Sequence, residues 1–424
     1  MNFNKHILKN GLRVITVLMK DNPTATVLVL VAAGSKYETK KINGLSHFLE
    51  HMCFKGTKKR PRSIDISHEL DSVGAQYNAF TSQEWTGYYA KAAARHSPML
   101  IDIVSDIYLN STLPEAEMQK EKGVIIEEIN MYNDLPQRKV QDIFLNLLYG
   151  DQPAGWDIAG TKENVSGMKH ADFVSYRTKF YTAPETLVVV SGSINEAEVL
   201  KLVEQSFAEC SPQPGAGKLP VKEAQSKPAI LTEKRKTDQT HFVLGVRTFD
   251  AYDKRNSVLR VLGGVLSGGM SSRLFERMRN ELGICYYVNA SADPFTDHGV
   301  FSVSAGVKND RLKEAVKEII IQLGALKAKA VPDKELAKVK DFLTGGMYLG
   351  LESSDSLADF YGSQEIIKKP IRKPEEIAAE IVKVTAADIQ KLANEIFVDE
   401  KLNLALIGPS QSKSELRKIL TFGK

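Results

Sequence analysis

Two hydrophobic periods alternate along this chain and mark out its elements. Short β-rich runs between His6 and Met19 flank Asn10-Gly11, the dipeptide that most strongly favours a tight hairpin. Ala25 to Ala33, broken only by Thr26, is the longest apolar run and reads as a buried strand. Gly44 to Phe54 switches to helical spacing, with Leu45, Phe48, Leu49 and Met52 on the apolar side. Pro61-Arg62-Ser63 opens a further helix to about Val73, with Ser63 as the expected N-cap. Ala75 to Thr81 and Trp85 to Ala93 alternate as paired strands do. Helices are expected at about His96 to Leu109, Pro114 to Tyr132, Gln137 to Leu148 and Ala171 to Tyr181. A strand follows at Thr186 to Ser191, and a helix starts near Glu196.

The pattern then repeats. Ser211 to Pro220, rich in Pro and Gly, reads as a linker. Beyond it, Val331-Pro332-Asp333-Lys334-Glu335 echoes Leu113-Pro114-Glu115-Ala116-Glu117, and Ala387-Asp388 and Gly408 echo Ala171-Asp172 and Gly192 at nearly the same offset. A repeat this long implies two related domains rather than a solenoid of small units. The expected organisation is α+β: two homologous α/β-sandwich domains over 1–210 and 228–424, joined by a linker at 211–227.

One stretch asks for more than packing. His47-Phe48-Leu49-Glu50-His51 sets two histidines at i and i+4 on one helix face, with Glu50 beside them. A lone histidine on an apolar helix is ordinarily a satisfied core residue. A pair with an interposed carboxylate can hold a zinc ion, and the carboxylate can take a proton from the attacking water. Catalytic zinc needs a third protein ligand. On the helix from Pro114 to Tyr132, Glu121, Val124, Ile125 and Glu128 share an otherwise apolar stripe, where a carboxylate is costly unless paired or bound to metal. Glu128 is therefore the expected third ligand, and Glu121 the expected partner orienting a ligand histidine.

These residues resemble the inverted-zinc-motif metallopeptidases, the family of pitrilysin, insulin-degrading enzyme and mitochondrial processing peptidase. The family's motif is H-x-x-E-H, completed by a Glu well downstream, the place that Glu128 takes here. The resemblance spans nearly the whole chain and matches the short two-domain bacterial-type subgroup. It implies that Gly74-Ala75-Gln76-Tyr77-Asn78-Ala79-Phe80-Thr81 is similar to the substrate strand, with Gly74, Ala75, Asn78, Ala79 and Thr81 contacting peptide. It also implies that Arg279 and Tyr286, seven residues apart, match the family's Arg/Tyr pair, which holds substrate and the developing oxyanion. Arg277 and Tyr287 compete for those roles. The second half has no H-x-x-E-H, and Gly346 stands opposite Glu128, so one half carries the metal. Gly155-Trp156-Asp157-Ile158-Ala159-Gly160 departs from the processing-peptidase pattern, which argues against Arg-directed presequence specificity.

Composition narrows the rest. The 424 residues are 43% hydrophobic and 25% charged with a net charge of +4, a balance that fits a globular protein of more than one domain. No basic run carries interleaved aromatics, so nucleic acid is not expected as a partner. No run is long enough for a membrane span. The N-terminal residues lack the pattern of a signal or transit peptide, so a mature cytoplasmic protein is expected. Cys53, Cys210 and Cys285 are odd in number and far apart, which argues against a disulfide framework. Cys53 lies about 200° round the helix from His51 and reads as a core thiol. Gly263 to Ser272 is Gly-rich without a phosphate-loop ending and reads as a helix connection.

Together these imply a zinc-dependent endopeptidase or oligopeptidase, with one Zn2+ per chain, acting on extended peptides. His47, His51 and Glu128 would hold the metal and Glu50 would act as base. The resemblance implies a homodimer with composite active sites. The rival expectation is a non-catalytic scaffold subunit like the respiratory-chain core proteins.

Overall fold

The computed structural model of the chain describes residues 2–423. The first half contains strands β1 (Phe3–Ile7), β2 (Arg13–Leu18), β3 (Thr24–Val31), β4 (Gln76–Thr81), β5 (Thr86–Ala93) and β6 (Thr186–Gly192). Its helices are α1 (Leu45–Cys53), α2 (Ser63–Asp71), α3 (Ser97–Asn110), α4 (Glu115–Asn133), α5 (Pro136–Tyr149), α6 (Lys162–Gly167), α7 (His170–Phe180) and α8 (Glu196–Ser206). The second half supplies β7 (Ala229–Lys234), β8 (Gln239–Thr248), β9 (Cys285–Pro294), β10 (Gly299–Lys308) and β11 (Asn403–Gly408). With these come α9 (Asn256–Ser267), α10 (Leu312–Ala328), α11 (Asp333–Leu349), α12 (Ser354–Ile366), α13 (Pro374–Lys383), α14 (Ala386–Ile396) and α15 (Lys413–Ile419). None of the described helices is long and apolar enough to cross a membrane. The α+β character is as expected, and the hairpin at Asn10-Gly11 forms with Ile7 opposite Arg13.

The contiguous domains expected at 1–210 and 228–424 are not the units that pack. One compact unit combines the residues up to Asn130 with Asp157–Leu219 and Tyr348–Lys373; the other combines Met131–Trp156, Pro220–Met347 and the chain from Pro374 onward. Each unit therefore takes one helix from the other half of the sequence. The unit boundary at Leu219 falls in a stretch that carries no helix or strand between Ser206 and Ala229.

The reason lies in the strands. In the first unit the sheet order is β1-β2-β6-β3-β5-β4. Val27, Val29 and Val31 of β3 point to a core shared with Phe48, Leu49 and Met52 of α1 and with Leu100, Val104 and Tyr108 of α3. The alternate residues Leu28 and Leu30 are equally buried on the opposite face. There α12 lies on β3 and β6. It comes close because Gly362 has no side chain: a Cβ there would sit 2.9 Å from Leu30 Cδ1. Polar contacts pin its start, with Ser354 Oγ 2.8 Å from Thr26 Oγ1 and Asp355 paired to Lys91 at 2.6 Å.

The second unit repeats this arrangement with α5. Its sheet order is β7-β11-β8-β10-β9. Val140, Ile143, Phe144 and Leu148 of α5 cluster with Val243, Val300, Ala405 and Ile407. Phe301 faces the other way, against Phe397 at the end of α14.

Three local expectations are corrected. Ser63 is the first residue of α2 and not its cap; the Asp65 carboxylate instead accepts from the Arg62 backbone N–H at 3.0 Å. Val124 is 52% exposed, so the buried stripe of α4 runs through Met118, Glu121 and Ile125 without it. Gly263 and Gly264 lie inside α9 rather than between helices, and a Cβ at Gly264 would meet Val339 Cγ1 of α11 at 2.7 Å.

Replacing Gly362 by Val should force α12 away from Leu30 and cost about 1–3 kcal/mol, the usual range for overpacking. Gly345, with nothing within 4 Å of its Cβ position, is the control for helix propensity alone. Equal denaturation midpoints for Gly362→Val and Gly345→Val would show that the close approach does not hold α12 in place.

Candidate metal centre

The motif helix begins at a glycine, so its free N–H groups need an acceptor from elsewhere. Glu38 supplies it. Its Oε1 accepts from the Ser46 N–H at 2.6 Å, and its Oε2 from the Gly44 N–H at 2.8 Å and from Asn43 Nδ2 at 3.0 Å. Burial pushes the Glu38 carboxyl up to about 7, even though these donors favour its charged form. Gly44 holds φ +100, and a Cβ on it would lie 2.5 Å from the Ala159 carbonyl oxygen. Gly160 packs back against the same turn, where a Cβ would lie 2.2 Å from Asn43 O. The Gly155 to Gly160 stretch thus ends in a clamp on the entry to α1, completed by Asn43 Nδ2 donating to Asp157 O at 3.0 Å.

Helical periodicity then stacks His47 over His51, their rings T-shaped with centroids 4.7 Å apart. The Nε2 atoms face each other at 3.3 Å. Glu128 arrives from α4 with Oε1 3.6 Å from His47 Nε2 and Oε2 3.4 Å from His51 Nε2. These three residues offer ligand atoms all within 4.8 Å of one another, the one such group among the described residues. Glu121, two helical turns before Glu128, accepts from His51 Nδ1 at 2.9 Å. That bond engages Nδ1, so Nε2 is the ring nitrogen left to meet Glu128 without a metal and to serve as the ligand atom once a cation displaces its proton. Lys55 Nζ in turn holds the other oxygen of Glu121 at 2.6 Å. His47 Nδ1 is buried without a hydrogen-bond partner among the described residues.

Such a cluster demands positive charge. Burial disfavours the His51 imidazolium, but Glu121 and Glu128 outweigh it and hold the group up at about 9. Bonds from His47 and His51 hold the Glu128 carboxyl far below the carboxylate range. Two imidazole nitrogens and one carboxylate around a common point, with a carboxylate behind one imidazole, fit a divalent cation with nitrogen and oxygen ligands.

Glu50 lies beside the cluster. Burial raises its carboxyl, against the Thr81 hydroxyl, which donates to Oε2 at 2.6 Å, and against His47 and His51. Thr81 ends β4, the edge strand, which among the described residues pairs only with β5. Asn78 is exposed on β4, Ala79 is half-buried, and Gly74 and Ala75 form the turn before the strand, Gly74 with φ +64. Cys53 is buried as a core thiol, 3.5 Å from the Tyr88 hydroxyl, and burial pushes it up to about 11.

Arg279 and Tyr286 belong to the second unit. Arg279 lies in a π-helical turn, Phe275–Glu281, and its guanidinium sits 4.9 Å from the Phe275 ring centroid and 5.2 Å from that of Tyr286. Tyr286 is 73% exposed. Their competitors are committed to internal contacts: Arg277 pairs with Glu281 and Glu318, and Tyr287 Oη meets His241 Nδ1 at 3.1 Å.

Sequence reasoning missed Glu38 and Lys55 and did not foresee that Thr81 would hold Glu50. Only Glu38 left a signal, since a helix opening on Gly lacks its own cap.

An H-x-x-E-H helix joined by a glutamate from a second helix, in a duplicated α+β chain, defines the inverted-motif class of metallopeptidase folds. Residues 13–162 match the family described as Insulinase (Peptidase family M16), and residues 168–343 match the Peptidase M16 inactive domain. The chain belongs to peptidase family M16. It is 34% identical to the "Uncharacterized zinc protease YmxG" of Bacillus subtilis over 96% of this chain and 98% of that one. It is 33% identical to the "Uncharacterized zinc protease ML0855" of Mycobacterium leprae over 97% and 93% of the two chains. The crystal structure of a protease from Helicobacter pylori shares the fold, with a TM-score of 0.90 at 23% identity over 96% of this chain and 100% of that one. So does a peptidase M16 inactive domain from Pseudomonas fluorescens, at a TM-score of 0.89, 16% identity and 97% and 99% coverage.

Two substitutions test this construction. Gly44→Ala should cost about 1–3 kcal/mol through strain at positive φ and lower metal content, read by elemental analysis of purified protein. Glu128→Gln should lose metal while the fold survives, whereas Glu127→Gln, on the exposed side of α4, should keep it. The reverse result would mean that Glu127 is the ligand.

Proposed function

We propose that the protein is a zinc endopeptidase or oligopeptidase that hydrolyses extended or unfolded peptides. The observation that carries this reading is the convergence of His47, His51 and Glu128 beside Glu50, next to the open edge of β4. Relatives named zinc proteases support the choice of metal, held one per chain. Zinc, when bound, supplies Lewis acidity at the attacking water and the scissile carbonyl. Every other role belongs to the chain. Glu50 takes the proton of the attacking water and returns it to the leaving amine. Thr81, donating to Glu50, holds that carboxylate in one rotamer. Peptide adds as a strand along Ala75 to Thr81, where main-chain hydrogen bonds give affinity with little sequence preference.

Arg279 and Tyr286 complete the reading. An arginine whose only partners among the described contacts are two aromatic rings, next to an exposed tyrosine, is available to a peptide main chain or an oxyanion. In the proposed homodimer this pair serves the metal half of a second copy, so that each site is shared between two chains.

Glu50→Gln preserves size and removes the proton acceptor. It should keep about one zinc per chain yet lose at least about 10²-fold in activity on an unstructured peptide. An active Glu50→Gln protein would overturn the mechanism, and a wild type that binds zinc but cleaves nothing in a peptide library would favour the scaffold reading. Sharing of sites is tested by mixing Glu50→Gln with Arg279→Ala/Tyr286→Phe. Each is expected to be nearly inactive alone, and subunit exchange should restore activity by creating one intact site per mixed dimer. Confirmed exchange without recovery would place the whole site within one chain.

A further inference from the structure

Four residues after His51 and just past the end of α1, Lys55 has no role in the peptidase reading. Its backbone is nevertheless fixed on both sides. The Lys55 N–H donates to Met52 O at 3.2 Å, and Ser111 Oγ donates to the same carbonyl at 3.0 Å. Gly56 holds φ +131, where a Cβ would lie 2.3 Å from Pro61 O. The Gly56 carbonyl accepts from the Thr112 N–H at 3.0 Å and from Thr112 Oγ1 at 3.2 Å. The segment that leads into α4 is thus bound to the segment that leaves α1, and Lys55 projects from the junction. Its side chain is 23% exposed, and Nζ reaches Glu121 Oε2 at 2.6 Å.

A lysine–glutamate pair in open solvent does little. This pair differs in its acid. The Glu121 side chain is 6% exposed, and its other oxygen, Oε1, accepts from His51 Nδ1 at 2.9 Å. A carboxylate gripped at one oxygen can still swing about its side-chain torsions. Gripped at both, its plane is set, and so is the direction from which it holds the imidazole. Without the ammonium, Oε2 would be a buried acceptor with no other donor among the described residues, a costly state. Glu121 would relieve that cost by turning toward water, and His51 Nδ1 would lose its acceptor.

We propose that Lys55 is a positioning residue for the metal. It fixes the Glu121 carboxylate, which fixes the His51 ring, so that His51 Nε2 and Glu128 already face each other when a cation arrives. The inference rests on the metal reading of His47, His51 and Glu128 and adds to it a residue that acts through Glu121. Groups that orient a ligand histidine in this way are typically worth about 10–100-fold in metal affinity.

The test is zinc affinity of the full chain, stripped of metal and titrated against a chromophoric chelator, together with the visible absorption of the cobalt(II)-loaded protein, which reports geometry at the metal. Lys55→Met keeps an unbranched stem and removes the charge. It should raise the zinc dissociation constant at least about tenfold and alter the cobalt spectrum, while the thermal midpoint of the metal-free protein stays at the wild-type value. Lys55→Arg should recover most of the affinity. In a Glu121→Gln background, Lys55→Met should have little further effect, because the lysine acts through that acid. Lys55→Gln stands in if Lys55→Met does not fold, and should shift affinity the same way.

Unchanged zinc affinity in Lys55→Met would overturn the proposal and leave Lys55 as a rim charge. Tighter zinc would overturn it too, by showing that the cation feels the charge of Lys55 and not its grip on Glu121. Full additivity with Glu121→Gln would break the link between them. A wild type that binds no zinc would overturn the metal reading itself, an outcome distinct from the other three.

Discussion

Central strands that are apolar on both faces constrain everything else in this protein. β3 buries Val27, Val29 and Val31 on one side and Leu28 and Leu30 on the other, and β6 likewise buries Val188 and Val190 opposite Leu187 and Val189. Leaving one such face in water would cost about 1.5–3 kcal/mol for each large side chain. α1 and α3 cover one face, and α12, from the far half of the sequence, covers the other. α5 does the same service for the sheet of the second unit. Duplication with reciprocal exchange of one helix satisfies both sheets.

On that platform the candidate metal centre is held from three directions. Glu38 and the Gly44/Gly160 contact fix where α1 begins, which sets the azimuth of His47 and His51. α4 brings Glu121 and Glu128 together because seven residues are nearly two helical turns. Thr81 ties the adjacent Glu50 to the edge strand. The cluster is thus arranged by helix period and by short bonds to groups distant in sequence.

The two units have diverged in opposite directions from one plan. Beside the edge strand β4 lies α1 with its two histidines; beside the edge strand β9 lies α9, whose Gly263 and Gly264 serve close packing, Gly264 against Val339. Where the first unit has Glu128, the repeat has Gly346. The second unit lacks the H-x-x-E-H helix, and among its exposed groups are Arg279 and Tyr286, whose guanidinium and ring lie 5.2 Å apart.

What the sequence by itself determined was the part of the structure written in local period. The face that carries His47 and His51, the elements of the first half other than α6, and the placing of Glu121 and Glu128 on one helix follow from residues a few positions apart, whose geometry the backbone sets; the duplication was legible as a long-range echo of the same pattern. Val124 and Ser63 show the limit of that reading, since a stripe or a cap is only a tendency until a neighbour packs on it. The tertiary structure alone decided that α5 and α12 change places, that Glu38 caps the motif helix and that Lys55 holds Glu121. Most of these join residues far apart in the chain, through contacts whose worth depends on burial and on which partners the fold brings together. No period records that.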